Sequence, residues 1–350
     1  MRVLVTGGAG FIGRSLVADL VTTADHVLVL DSLRPDVHRD GGTSARACLA
    51  MLGVDLVVGD LREAQVVEAA LTGIDAVVHL AAKVGLGTGI DDMDDYVSSN
   101  DLGTAVLLRS LAASDVRRFV QASSMVVYGE GRYTCEDHGS ISPAARTREA
   151  LSHGRFEPPC PDCGTDLLPG MVGEDAPMDP RNTYAASKVA QEYLGAIWAR
   201  ETGGSAISLR LHNVYGPGMP RNTPYAGVAS VFSSALDRGE APRVFEDGGQ
   251  RRDFVHVNDV ARAFTAALAG TNEQPTPHRA FNVGSGTVST VGDLAQALSA
   301  ARNGQDPVVT GEFRLGDVRH VTASSARIRD ELGWRAIVSL AEGVSGLTFG

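Results

Sequence analysis

The chain has 350 residues, 43% of them hydrophobic and 21% charged, with a formal net charge of -11. That length supports one large domain or two smaller ones, and the acidic balance excludes a phosphate-backbone binder, whose footprint is a basic patch, so no nucleic-acid partner is expected. The 4 cysteines are too sparse for a secreted disulfide scaffold; Met1 runs straight into an apolar strand and no apolar run approaches roughly 18 residues, so a cytoplasmic protein with no membrane partner is expected.

Short β-rich runs alternate with amphipathic stretches through the first half. Strands are predicted at 2–6, 26–31, 54–58, 76–80, 118–122 and 206–211, and helices at 11–21, 63–71, 92–113 and 184–200. Such alternation is the pattern of a parallel sheet covered by helices on both faces. From Asn213 onward glycines and prolines separate shorter helices, predicted at 258–269 and 291–301. The expected fold class is α/β: a Rossmann-type doubly wound parallel sheet over 1–212, with a smaller C-terminal α/β substrate lobe over 213–350 and a discontinuous boundary between them. Residues 130–182 interrupt the first part with loop-like, proline-containing sequence. Loops of that length are usually functional or separately stabilised.

The first predicted strand runs directly into Gly7-x-x-Gly10-Phe11-Ile12-Gly13 and a helix. In that setting Gly7 makes the tight turn, Gly10 lets backbone approach a pyrophosphate, and Gly13 permits close helix packing. Asp31 ends the second strand, about twenty residues past the glycines, where a carboxylate accepts hydrogen bonds from a ribose and repels a 2'-phosphate. NAD is therefore expected, with Arg34 nearby leaving NADP open. Asp60 and Leu61, after the third strand, fit an adenine contact. Leu80, Ala81 and Ala82, after His79, fit the pyrophosphate and ribose wall. For Asp60 and His79 strand-end capping is the competing reading.

Tyr184 and Lys188 stand four residues apart, hence on one helix face. A phenol serves as a base near neutral pH only if its pKa is drawn down, which a neighbouring ammonium and an oxidised nicotinamide can do. Alone, such a pair commonly marks a solvated face. Here it accompanies Ser123-Ser124, which follow the fifth predicted strand at the edge where open α/β sheets bind ligands.

Glycine loop, Asp31, Ser124, Tyr184 and Lys188, in that order, resemble the extended short-chain dehydrogenase/reductases, specifically the NAD-dependent nucleotide-sugar epimerase/dehydratase group. The resemblance implies that Ser124, Tyr184 and Lys188 are catalytic, that Ser123 lies by the cofactor, that Asn100 on the cofactor side is a structural or site-water-binding asparagine, and that Asn213, Arg252 and Arg319 meet the diphosphate of a nucleoside-diphosphate-sugar. Arginine's planar fork suits phosphate oxygens, although Arg252 and Arg319 also read as ordinary surface arginines. The resemblance further implies a homodimer through the helices at 92–113 and 184–200. Dehydratases and sugar-acid decarboxylases of the group carry carboxylates just before the Tyr-Gly pair that here is Tyr128-Gly129; this chain has Met125 and Val126 there. Neither can move a proton, which leaves oxidation and re-reduction at one carbon: a 4-epimerase with a transient 4-keto sugar. A nucleotide-sugar 4-ketoreductase and an NAD-sensing binding protein on the same fold are the other readings.

The interruption carries Cys135-x-x-His138 and Cys160-x-x-Cys163. Two close ligand pairs of this kind suit a four-coordinate structural zinc, with redox chemistry or no function as the rivals. Cys48 is left over as a small buried hydrophobe. The Tyr-Gly-Glu-Gly-Arg-Tyr-x-Cys and Cys-Pro-x-Cys-Gly pattern resembles the dTDP-L-rhamnose 4-epimerase-like subgroup, which implies a dTDP-6-deoxyhexose substrate; a UDP-hexose or UDP-hexuronate 4-epimerase shares every catalytic residue named.

Overall fold

Valine- and leucine-rich runs of four to seven residues build one parallel sheet, and their side chains alternate between its two faces. A computed structural model describes residues 1–85, 90–220, 227–271 and 277–347. Its strands are Arg2–Thr6 (β1), His26–Asp31 (β2), Asp55–Val58 (β3), Ala76–His79 (β4), Arg118–Ser124 (β5), Arg132–Cys135 (β6), Gly139–Ile141 (β7), Leu168–Gly170 (β8), Ser205–Leu211 (β9), Asn213–Tyr215 (β10), Arg243–Val244 (β11), Arg251–His256 (β12), His278–Val283 (β13), Val288–Thr290 (β14) and Val308–Val309 (β15). Its α-helices are Phe11–Leu20 (α1), Thr43–Met51 (α2), Ala64–Ala70 (α3), Met93–Tyr96 (α4), Gly103–Ala112 (α5), Arg148–Ser152 (α6), Thr183–Thr202 (α7), Val228–Asp237 (α8), Val257–Gly270 (α9), Val291–Ala301 (α10), Ala326–Leu332 (α11) and Leu340–Ser345 (α12).

The main sheet has seven strands in the order β13-β9-β5-β4-β1-β2-β3, all parallel. Winding reverses between β1 and β4, and the crevice beyond their C-terminal ends is where such folds bind dinucleotides. Val3 and Val5 pack with Leu16 and Val17 of α1, Leu49 of α2 and Phe264 of α9. Leu4 points the other way, into Val67, Leu107, Leu111 and Trp198 from α3, α5 and α7. A third core, with Tyr215, Phe232, Phe254, Leu294 and Val344, forms the lobe beyond the crevice. No helix among the described residues is long and apolar enough to cross a membrane.

Strand β13 and helix α9 lie C-terminal to Asn213 and join the main sheet and its helical layer, a discontinuous arrangement. Three features differ from the sequence reading. Helix α2 was not anticipated, and Cys48 within it is only half-buried. The helix expected over 92–113 is broken: a 3-10 turn at Ile90–Asp92, then α4, then a π turn at Val97–Leu102, then α5. A π turn widens the spiral and commonly marks a functional spot; here it carries the buried Asn100. Finally, 130–182 is not loop alone but holds β6, β7, β8 and α6, the strands in the order β7-β6-β8.

Candidate active site

The crevice opens into a cavity of about 1000 Å³ lined by residues from both the sheet edge and the smaller lobe. Ligand sites reach roughly this size at their upper end, which suits a dinucleotide together with a second large ligand. Gly7, Gly10, Phe11, Ile12 and Gly13 form one wall. Gly7 has φ +72°, and a Cβ there would lie 2.6 Å from the Ala81 amide nitrogen. A Cβ on Gly13 would lie 2.4 Å from the Gly7 carbonyl oxygen. Only glycine permits this turn, and α1 starts at Gly10 with no side-chain cap on its first amides. A helix N-terminus of this kind is suited to an anion.

Asp31, Asp60, Leu61, Leu80, Ala81 and Ala82 continue the lining. The Asp31 carboxylate is fixed by the Ala9 and Leu33 amides, at 3.0 and 2.9 Å. Arg34, the cation that could have received a 2'-phosphate, instead forks onto Asp36 and Asp95, with bonds of 2.9–3.1 Å. With its charge answered on both edges, the cradle fits NAD rather than NADP. Asp60 is held by Arg62 at 2.6 and 2.9 Å. His79 does not face the cavity: it is buried between Thr6 Oγ1 and Thr104 Oγ1, at 2.7 and 2.9 Å, and burial pushes its pKa down to about 3, so the ring is neutral.

At the centre, β5 ends on Ser123-Ser124 and α7 begins beside it, capped by Asn182 Oδ1 on the Ala185 amide at 2.8 Å. Ser124 and Tyr184 line the same wall, and Ser124 Oγ accepts from the Val126 amide at 3.4 Å. Lys188, one turn on, donates to the Ala122 carbonyl at 2.9 Å and sits 5.9 Å from the centre of the Tyr184 ring. Burial pushes Tyr184 up to about 12, against the pull of the Ser124 hydroxyl. Burial likewise draws Lys188 down to about 8, opposed by Glu192 and Asp101. Lys188 and an oxidised nicotinamide were expected together to draw the phenol down; without the dinucleotide, desolvation dominates. Ser123 donates to Glu192 at 2.5 Å, and Arg210 grips both oxygens of the same carboxylate at 2.9 and 2.8 Å. Met125 and Val126 line the cavity next to Ser124.

Two expected contacts are corrected. Asn100 does not line the cavity. Its Oδ1 accepts from the Lys83 amide at 2.7 Å and its Nδ2 donates to Lys83 O and Ser187 Oγ, so it ties the loop after β4 to α7. Arg319 is also absent from the lining. It is buried on the insertion side and donates to Glu157, Glu246 and Asp247 at 2.7–2.9 Å, so its guanidinium is spent on carboxylates. Asn213 and Arg252 do line the cavity, Asn213 with a buried Oδ1 that makes no hydrogen bond. Arg252 donates to the carbonyls of Arg251, Val318 and Arg319. Lys83, Arg238, Arg243 and Arg314 also reach this wall and were missed in the sequence. Arg314 stands five residues before Arg319 in the same segment and lines the cavity where Arg319 does not.

Within the insertion, Cys135, His138, Cys160 and Cys163 bring their ligand atoms within 4.8 Å of one another.

The profile of the NAD dependent epimerase/dehydratase family matches residues 3–150 and 163–284, leaving out 151–162 of the insertion. The dTDP-L-rhamnose 4-epimerase of Burkholderia thailandensis is 33% identical over 350 residues, covering 99% of this chain and 93% of that one. The UDP-glucose 4-epimerase of Mycolicibacterium smegmatis is 32% identical over 356 residues, covering 99% and 96%. Among solved structures, the UDP-glucose 4-epimerase of Thermus thermophilus in complex with NAD aligns at a TM-score of 0.76 and 29% identity, covering 99% of this chain and 97% of that one. With glycine cradle, carboxylate and Ser-Tyr-Lys centre all in place, this chain belongs to the NAD dependent epimerase/dehydratase family.

Proposed function

We propose that the protein is an NAD-dependent nucleotide-sugar 4-epimerase whose substrate is a dTDP-6-deoxyhexose such as dTDP-L-rhamnose. The observation that carries the reading is that Ser124, Tyr184 and Lys188 line one cavity wall, next to Met125 and Val126. Tyr184, as its phenolate, takes the proton of the sugar C4 hydroxyl, and Ser124 stabilises that phenolate before the transfer. NAD, when bound, takes up and returns the C4 hydride and sets a positive charge beside the phenol. Lys188 supplies a second cation, which the raised phenol pKa makes necessary. The 4-keto sugar turns in the cavity, and Tyr184 returns its proton to the C4 oxygen on the re-reduced face. Elimination of water would need a further acid or base beside Ser124, where Met125 and Val126 offer none. Asn213, Arg252 and Arg314 hold the diphosphate end.

The 6-deoxyhexose reading is supported by the 33% identity to the rhamnose enzyme; the 32% identity to a UDP-glucose enzyme favours a UDP-hexose as the second reading. Product NMR after incubation with dTDP-L-rhamnose, and separately with UDP-glucose, tests both: the C4 epimer forms without added reductant. Stoichiometric consumption of NADH would overturn the epimerase reading. The cofactor reading extends to a structural zinc ion on Cys135, His138, Cys160 and Cys163, supported by the convergence of those four ligands. The assembly proposed is a homodimer through the helices around α5 and α7, supported by the exposed Met93, Val97, Leu102, Tyr193 and Ile197; a monomer by light scattering would refute it.

A further inference from the structure

The insertion has too little core to hold itself. Its apolar cluster is Tyr133, Cys135, Cys160 and Leu167, with Ile141 against it, and units that small generally need a disulfide or a metal. Its four ligands come from β6, the β6–β7 turn and a loop that precedes β8. The Cys135 and Cys163 sulfurs are 3.7 Å apart, and His138 Nδ1 lies 3.4 Å from Cys135 Sγ and 3.6 Å from Cys160 Sγ. Zinc bonds of about 2.3 Å to sulfur and about 2.0 Å to nitrogen, at the tetrahedral angle, place sulfurs about 3.8 Å apart and sulfur and nitrogen about 3.5 Å apart. The three distances are therefore edges of a zinc tetrahedron, whereas a disulfide needs sulfurs at about 2.0 Å.

Glu157 lies three residues before Cys160. One of its oxygens takes two hydrogen bonds from Arg319, at 2.8 and 2.7 Å, and the other meets His320 Nε2 at 2.7 Å. Glu130, at the start of the insertion, accepts from the Arg319 amide at 3.0 Å. Arg146, also in the insertion, donates to the Asp317 carbonyl at 2.8 Å and pairs with Glu246. The segment gripped in this way is the one whose Gly316, Asp317 and Val318 line the cavity and whose Val318 and Arg319 carbonyls orient Arg252. The metal cluster and the cavity wall are thus joined by Glu157, Arg319 and Arg252 in series.

We propose that Cys135, His138, Cys160 and Cys163 bind one zinc ion and that this ion, through Glu157 and Arg319, positions the 314–318 wall against the substrate's nucleoside diphosphate, so that metal occupancy sets substrate affinity and not the chemical step. This rests on the reading of that cavity end as the nucleotide-sugar site. Arg319 is a positioning residue here: it bonds Glu157, Glu246 and Asp247, and neither it nor they line the cavity.

The test uses the full chain as wild type, Cys160→Ser, Glu157→Gln, and wild type dialysed against a chelator. Zinc per chain, retained NAD by absorbance, and dTDP and UDP affinity by titration calorimetry are measured on each. Wild type carries about one zinc per chain. Cys160→Ser and the dialysed protein lose it, keep their NAD, and bind the nucleoside diphosphate about fivefold more weakly or worse, the lower end of the usual range for coupled sites. Glu157→Gln keeps its zinc and loses affinity in the same direction, which a merely structural ion would not produce. Zinc-free wild type, unchanged affinity after zinc loss, or a Glu157→Gln chain that binds like wild type would each overturn the proposal, and the dialysed and Glu157→Gln proteins decide it even if Cys160→Ser does not fold. If zinc-dependent nucleotide binding is seen while no sugar is epimerised, the proposed function falls and this inference stands.

Discussion

Replacing Ser124 with alanine removes one hydroxyl from the centre of the site and with it the influence that opposes the desolvation of the half-buried Tyr184. The phenol is already pushed up to about 12, so deprotonating it at neutral pH is the costly part of proton transfer. A hydrogen bond to a charged acceptor contributes about 1.5–3 kcal/mol, and each 1.4 kcal/mol is about tenfold in rate, so kcat is expected to fall roughly ten- to 150-fold. KM should change little, because the hydroxyl stabilises the phenolate and so sets how much of the enzyme carries the competent base, not how the sugar is bound. The limb of the pH–rate profile that reports the phenol should move to higher pH. Ser124 also accepts from the Val126 amide and caps the turn at Met125–Tyr128, so Ser124→Thr, which keeps the oxygen, serves as the control. Initial rates by product NMR across pH, with NAD content measured on the same samples, make the assay. A Ser124→Ala enzyme within about threefold of wild-type kcat, with NAD retained, would refute the coupling of the two hydroxyls.

The Lys188 cation is drawn down to about 8, so its charge is present below that pH and disappears above it: kcat should fall as pH rises through about 8, and Lys188→Arg, which keeps its charge, should lack that limb. For stability the sign is opposite, since the unfolded lysine holds its proton to the ordinary 10.5; between about 8 and 10.5 the unfolded chain binds more protons, and this residue's contribution to stability grows with pH in urea unfolding. Gly13→Val puts atoms within 2.4 Å of the Gly7 carbonyl, so purified protein should lack bound NAD and melt earlier; normal cofactor content would contradict the packing argument. Arg210→Met leaves Glu192 buried without its partner, which costs about 3–5 kcal/mol in denaturant unfolding, and Glu192→Gln added to it should recover part of the loss. A cost under about 1 kcal/mol would mean that the pair is relieved by water.

What could be read in the sequence was local. The cradle was legible because the positive φ of Gly7 and the contacts of Gly10 and Gly13 with the Gly7 carbonyl fall within one strand–turn–helix unit, and α7 because Asn182 caps it and Gly203, at φ +69°, closes it. Strands buried on both faces, such as β1 and β4, announce themselves as apolar runs. Strand β13 did not: it opens His278-Arg279, and what makes it a strand is pairing with β9, far away in the chain. The π turn escaped because its cause is Asn100 reaching Lys83 and Ser187, a contact that no helical period encodes. Arg319 was assigned to phosphate since an arginine in that segment suits one; that Glu157 claims it depends on an insertion 162 residues away. The sign of the Tyr184 shift likewise depends on burial, which spacing to Lys188 does not report.

The placement of the insertion explains how a metal site can act on binding while sparing the chemistry. It leaves the chain after Ser124 and returns before Tyr184, the two residues whose hydroxyls must meet. Its stem is closed at that point: Asp179 donates its amide to the Val127 carbonyl at 2.9 Å, and Gly129, at φ +62°, passes so close that a Cβ would lie 2.3 Å from Asp179 O. Ser124 and Tyr184 therefore feel a short, tied connection, and the added chain costs only the slow entropy of a longer loop. Beyond the stem, the insertion's backbone pairs with the C-terminal segment instead, Gly131 with His320 at 2.9 Å and Val172 with Thr322 at 2.8 Å. Whatever orders the insertion is transmitted along that seam to the wall around Arg252 and Val318, and the closed stem keeps it from the proton-transfer pair.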